Sequence, residues 1–239
     1  MVSFMHRREI KSSQRLIVAL DVPTDSEARD LVETLGDAVT FYKVGLELFT
    51  GADGFGIVDW LTTRSKQVFV DLKFFDVPAT VGRAVSQLRG RGITFATVHG
   101  NDAMMRAAAQ AAGDVNILAV TVLTSLDAAD MSDLGFDCDI PELVCSRARR
   151  ALQSGCAGVV ASGQEAAMLR RTLGDEGLIV TPGIRPGAHD DDQKRAVTPR
   201  QALMDGADFL VVGRPIRDAA DPRQTAIELQ SEITAAVVA

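Results

Sequence analysis

The chain has 239 residues, with 25 Lys and Arg against 32 Asp and Glu, a formal net charge of −7. Its 46% hydrophobic and 24% charged residues are ordinary for a globular protein, and its length suits an α/β barrel folded as one unit. The acidic balance argues against general nucleic-acid binding. No apolar run approaches the roughly 18 residues of a membrane-spanning helix, so neither nucleic acid nor membrane is expected as a partner.

The opening MVSFMHRREIKSSQR is basic and lacks the apolar stretch of a secretory signal. Residues 1–14 read as an N-terminal extension and 15–239 as one barrel domain. Cys138, Cys145 and Cys156 form no metal or disulfide spacing; an odd set of free thiols suits the cytoplasm. His6, His99 and His189 are too scattered for a histidine-based metal site. With only 5% aromatics, a core of Ala, Val, Leu and Ile is expected.

Eight apolar runs follow in order: LIVAL before Asp21, FYKVG, QVFVDLK, TFATVH, NILAVTVL, GVVAS, LIVTPG and DFLVVG. Each is continuous rather than alternating, as in strands buried on both faces of a parallel sheet. Between them lie helical patterns: SEARDLVETLG, the stretch Ile57 to Arg64, PATVGRAVSQLRG, NDAMMRAAAQAAG, PELVCSRARRALQSG, GQEAAMLRRTLG, PRQALMDG, and the tail from Pro222. Glycines such as Gly36 and Gly206 sit where helices should stop. Strict alternation predicts a parallel eight-stranded (β/α)8 TIM barrel, a single domain of the α/β class. An open doubly wound sheet would carry a glycine-rich phosphate loop after its first strand, where this chain has Asp21-Val22-Pro23-Thr24. The connections Leu126 to Asp139 and AHDDDQKR both follow strands, on the face where barrel active sites sit.

The strand ends are unusually charged. The first ends at Asp21, the second carries Lys43, and the third ends with Asp71 and Lys73. Asp71 and Lys73, two apart, should leave the same face of the strand. Asp76 follows in the loop before Pro78. All but Lys43, which inside an apolar strand needs a partner, have a plain alternative. Asp76 could cap the next helix, Asp71 and Lys73 could be a solvated ion pair, and Asp21 could shape a turn before Pro23. Those readings leave unexplained why all coincide on neighbouring strands, where burying such charges is costly unless they are paired.

At the other side of the mouth, phosphate in these barrels commonly sits near the last two strand ends. Gly213 permits close backbone approach, and Arg214 can grip phosphate with two hydrogen bonds. Arg185 and Gln193 belong to the preceding connection, a candidate lid, whose Asp190-Asp191-Asp192 run should face solvent. His99 reads as a packed, hydrogen-bonded histidine.

The segment DLKFFDVPATV resembles the signature of the orotidine 5'-phosphate decarboxylase family, an Asp-x-Lys-x-x-Asp core followed by Pro and Thr. LDVP, YKVG, TVHG, VTVLTS, TPGIRP and VVGRPI match the same family in order, from Leu16 to beyond Ile216. Two positions depart: Phe75 stands where the family commonly has His, and Ala79 where it commonly has Asn.

The resemblance implies decarboxylation of orotidine 5'-monophosphate to uridine 5'-monophosphate, the last step of de novo synthesis of that nucleotide, with no metal or organic cofactor. Losing CO2 leaves charge at C6, so preorganised positive charge and a proton donor are needed there. Lys73 takes the donor role, flanked by Asp71 and Asp76, whose charge would also disfavour the bound carboxylate. Lys43 neutralises Asp71 and, with Asp21, holds the ribose hydroxyls; Thr124 and Ser125 read the pyrimidine edge. Asp76 and Thr80 are expected to reach the site of a second subunit, implying a homodimer with shared sites. Metal-dependent sister enzymes, of the 3-keto-L-gulonate 6-phosphate decarboxylase or hexulose phosphate synthase type, share Asp-x-Lys-x-x-Asp but place a metal-binding Glu where Lys43 stands. A non-catalytic phosphate-binding barrel is the remaining alternative.

Overall fold

Val, Ile, Leu and Phe dominate the eight apolar runs, and side chains of that shape pack well on a pleated surface covered from both sides. A computed structural model describes residues 7–51, 53–186 and 197–238. The runs form β1 (Leu16–Ala19), β2 (Phe41–Gly45), β3 (Gln67–Phe74), β4 (Ile93–Val98), β5 (Asn116–Val120), β6 (Gly158–Val160), β7 (Leu178–Thr181) and β8 (Phe209–Val212). Each pairs in parallel with its successor, and β8 closes on β1 through Leu16–Leu210, Ile17–Val211 and Val18–Val212. The expected (β/α)8 barrel is the fold.

The helices are α1 (Asp25–Leu35), α2 (Leu46–Gly51), α3 (Gly54–Thr63), α4 (Pro78–Ser86), α5 (Asp102–Ala111), α6 (Ala128–Asp133), α7 (Ile140–Gln153), α8 (Ala166–Leu173), α9 (Pro199–Met204), α10 (Arg214–Arg217) and α11 (Pro222–Val238). Thr24, Asn101, Asp139 and Thr198 each cap a helix start by accepting a backbone N–H three residues on. Gly36 and Gly206, with φ of 55° and 101°, end helices in a conformation that only glycine takes cheaply.

Three short helices, α2, α6 and α10, were not expected; all lie on the mouth side of the barrel. The connection Leu126 to Asp139 contains α6 because Asp127 accepts from the N–H groups of Ala129 and Asp130, while the Asp130 side chain accepts from Asp127 N–H. This reciprocal cap uses Asp where Ser or Thr with Glu is the usual signal. Among the described residues, no helix is long and apolar enough to cross a membrane.

Between strands and helices the core is aliphatic, as expected. Inside the barrel it is not: Phe41, Phe69, Phe95 and Phe209 fill the lower layer, with ring centroids 5.1–6.0 Å apart. Aromatic residues are few in this chain but concentrated where four strands converge. Beneath them Ile10, between the short 3-10 turns Arg7–Glu9 and Ser12–Gln14, closes the bottom of the barrel. Arg7 and Arg170 pair there with Asp208, which is fully buried.

Candidate active site

Alternation along the strands carries the interior from apolar to polar. Phe41 is followed two residues on by Lys43, Phe69 by Asp71, and Phe95 by Thr97, so the layer above the phenylalanines is hydrophilic. Lys43 is buried, and its Nζ donates to Asp21 Oδ1 at 2.8 Å and lies 3.8 Å from Asp71 Oδ2. Lys73 Nζ donates to both Asp71 oxygens at 3.0 Å. Asp21, Lys43, Asp71 and Lys73 therefore form a chain of alternating charge across three neighbouring strand ends.

The reason Lys73 joins this chain differs from the expected one. Regular alternation ends at Asp71. Between Val70 and Phe74 the pairing of β3 with β4 slips, and Lys73 takes a left-handed backbone with φ of 50°. That turn, not simple i, i+2 geometry, aims its ammonium back at Asp71. The solvated-pair reading of Asp71 with Lys73 also gives way, because Asp71 is mostly buried and contacts Lys43 and Thr97 as well.

Two supporting residues were missed from the sequence. Thr97 accepts from Lys73 N–H and donates to Asp71 Oδ1, both at 2.9 Å. Gly45 makes room for the pair beside it: a Cβ there would lie 3.0 Å from Lys43 Nζ and 3.2 Å from Asp21 Oδ1. The YKVG run contained that signal, because a side chain at the fourth position would crowd the lysine.

Asp76 is exposed at the rim and accepts from Val77 N–H at 2.6 Å. It does not cap α4, whose N-cap is Val77 and has no side-chain cap bond. Thr80 lies on the first turn of α4 and accepts from Arg83 Nη2. Phe75 and Val77, the chain neighbours of Asp76, are exposed, as is Leu46 after β2. Phe75 stands edge-on to the half-buried His99 ring, at 5.5 Å between centroids. The packing expected of His99 is there, but among the described residues its ring has no hydrogen-bond partner. Burial, followed by the charges of Arg147 and Lys73, pushes the His99 imidazole below its ordinary value.

Across the mouth, Thr124 lies exposed in the turn Leu123–Leu126, closed by Leu126 N–H donating to Leu123 O, with Ser125 beside it. Arg214 opens α10, and a Cβ on Gly213 would lie 3.6 Å from Asp21 Oδ2, so the ends of β8 and β1 face each other. Arg217 Nη1 donates to the Asp21 carbonyl. Arg185 is buried and donates to the Ile184 carbonyl, close to the Ile184–Val197 bridge. Gln193 and the Asp190-Asp191-Asp192 run lie outside the described residues. Among the described residues, no group of three His, Cys, Asp or Glu side chains is placed to hold a metal ion.

This geometry has close relatives. The chain is 61% identical over 235 residues to the orotidine 5'-phosphate decarboxylase of Methylococcus capsulatus, covering 98% of this chain and 97% of that protein. It is 49% identical to the enzyme of the same name from Xanthomonas euvesicatoria, covering 95% of each. The solved orotidine 5'-phosphate decarboxylase of Lactobacillus acidophilus superposes with a TM-score of 0.83 at 36% identity, over 92% of this chain and 99% of that one. The Pyrococcus horikoshii enzyme superposes at 0.74 with 27% identity, over 92% and 99%. Residues 14–229 match the Orotidine 5'-phosphate decarboxylase / HUMPS family model, and the chain belongs to that family.

Proposed function

We propose that this protein decarboxylates orotidine 5'-monophosphate to uridine 5'-monophosphate and CO2, the last step of de novo synthesis of that nucleotide, with Lys73 as the proton donor. The observation that carries the reading is the charge chain Asp21–Lys43–Asp71–Lys73, with contacts of 2.8, 3.8 and 3.0 Å. Its last member, Lys73, has 40% of its side chain open to the mouth. In the proposed step the bond from C6 to the carboxylate breaks, CO2 departs, and the electron pair left on C6 takes a proton from Lys73 Nζ. Solvent then reprotonates the amine. Asp71 holds that ammonium in place, and its own charge opposes the bound carboxylate until CO2 has left.

Lys43 and Asp21 are assigned to the ribose hydroxyls, and Thr124 to the pyrimidine edge. Arg214, Arg185 and Gln193 are assigned to the phosphate, with Gly213 giving backbone access. Remote phosphate contacts of this kind can supply energy that is realised only in the transition state. The proposed reaction uses no metal or organic cofactor. The donor set supports this, since an ammonium already faces each carboxylate of the array and a lysine at position 43 cannot ligate a divalent ion. A cytoplasmic location belongs to the same proposal and is supported by Cys138, Cys145 and Cys156 all being unpaired thiols.

The homodimer with shared sites is also proposed. It is supported by Asp76, which is exposed and, among the described residues, forms no ion pair with the Lys73 of its own chain, and by the exposed apolar side chains of Leu46, Phe75 and Val77. The test of activity is loss of orotidine monophosphate absorbance with and without a chelator. Full turnover under chelation is expected; no turnover, or turnover restored only by a divalent metal, would refute the reading. The shared site has its own test. Lys73→Ala and Asp76→Ala homodimers should each be nearly inactive, and exchange of their subunits should restore up to about a quarter of wild-type activity, since half the dimers then hold one intact site of two. No recovery despite demonstrated exchange would return Asp76 to its own subunit.

A further inference from the structure

We infer that Thr97 is a positioning residue for the proton donor, its hydroxyl locking the left-handed turn at Lys73 onto Asp71; this inference rests on the proposed decarboxylation. Thr97 is almost fully buried on β4, directly above Phe95 in the barrel interior and beside the slipped end of β3. Its Oγ1 lies 2.9 Å from Lys73 N and 2.9 Å from Asp71 Oδ1. The direction of both bonds follows from chemistry alone. A backbone N–H can only donate and a carboxylate can only accept, so the hydroxyl accepts from Lys73 and gives its single proton to Asp71. A ring results: Thr97 Oγ1 to Asp71 Oδ1, Asp71 to Lys73 Nζ at 3.0 Å, and Lys73 N–H back to Thr97.

That ring answers two difficulties at once. A non-glycine residue at φ of 50° persists only where its surroundings hold it, and the bond to the Lys73 N–H supplies that hold. Asp71 has charged neighbours on both sides, Lys43 and Lys73, and needs a third contact to settle the rotation of its carboxylate between them. Thr97 provides both from one oxygen without adding charge to the array. Valine has the same shape but would leave the Lys73 N–H and an Asp71 oxygen without this partner. Serine retains the hydroxyl.

The test compares Thr97→Val and Thr97→Ser with wild type on orotidine monophosphate. Loss of a hydrogen bond to a charged group predicts that kcat of Thr97→Val falls roughly 10–100-fold, with KM within about threefold of wild type. Thr97→Ser should keep kcat within about threefold, because the bonding atom is restored. Thr97→Ala, smaller than threonine, gives the same readout should the valine variant fail to fold. A hydroxyl-free variant that folds with kcat within about twofold of wild type would overturn the inference, as would a serine variant no better than it. A rise in KM with kcat unchanged would equally overturn it, by placing Thr97 in ground-state binding. Wild-type protein runs in the same series; its failure to turn over the nucleotide would overturn the proposed function and this inference with it, whereas active wild type with unaffected variants would overturn only the inference.

Discussion

Two clusters of carboxylates and cations occupy opposite ends of this barrel, and they are completed in different ways. At the bottom, Asp208 has no exposed side-chain surface: it accepts from Arg7 Nε, Arg170 Nη2 and Ile179 N–H, and its carbonyl accepts from Arg15. Arg170 in turn donates to the carbonyls of Gly174, Gly177 and Gly206. Below the phenylalanine layer these charges are bound to fixed partners. At the mouth, Asp21 and Lys73 keep 47% and 40% of their side chains exposed, above the same layer. Charge at the bottom is spent on joining the N-terminal segment to the barrel; charge at the mouth is held in position but still accessible to a ligand. The same residue types thus end in closed pairs or in accessible ones according to whether water can reach them.

This contrast can be broken by mutation from either end. The largest effect expected is on catalysis: Lys73→Ala should lower turnover by on the order of a thousandfold or more while the circular dichroism spectrum and unfolding midpoint stay near wild type. Turnover within about tenfold of wild type would remove Lys73 from the donor role. The mirror experiment is Asp208→Asn. It leaves Arg7 and Arg170 facing a neutral partner, should cost about 3–5 kcal/mol in denaturant unfolding, and should leave kcat of the folded protein unchanged. A stable Asp208→Asn protein with damaged kcat would erase the proposed division between the two ends.

Arg214→Ala sharpens the picture within the mouth itself. Loss of a charge-assisted contact should cost roughly 1.5–3 kcal/mol in kcat/KM for the nucleotide. Orotidine, which lacks the phosphate, should be nearly indifferent to the change; an equal loss for both substrates would make Arg214 structural. The smallest effect concerns pH. The folded chain holds His99 below its ordinary value of 6.5, so below that pH the unfolded chain binds a proton that the folded chain refuses. The stability this residue contributes is present above that value and is lost as pH falls. His99→Gln should flatten the decline in unfolding free energy between about pH 7 and pH 5; an unchanged slope would show that other groups set it.

Much of the site was legible because its residues lie in short ordered runs. Asp21, Lys43 and Asp71 each sit at or near a strand end, and once eight parallel strands are granted, their meeting at one mouth follows. Lys73 was legible as a member of the group but not in its geometry, because a pairing slip and a left-handed backbone are not signalled by a lysine. Thr97 was hidden for a similar reason. In TFATVH it reads as an ordinary strand threonine, and only the register of β4 against β3 gives its hydroxyl two partners. The four interior phenylalanines were obscured by a low overall aromatic content, since composition is silent about which strands converge.

Local pattern by itself determined the strands and the principal helices, since continuous apolar runs, capping side chains and glycine stops act over a few residues. It also determined which charged groups the chain carries to the mouth, because each sits at a fixed place in its βα unit. Tertiary structure decided what those groups touch. The slip between β3 and β4 and the burial of Asp208 among Arg7, Arg170 and Ile179 both depend on partners tens of residues away. Hydrogen-bond direction, water exclusion and backbone strain are settled by that surrounding geometry.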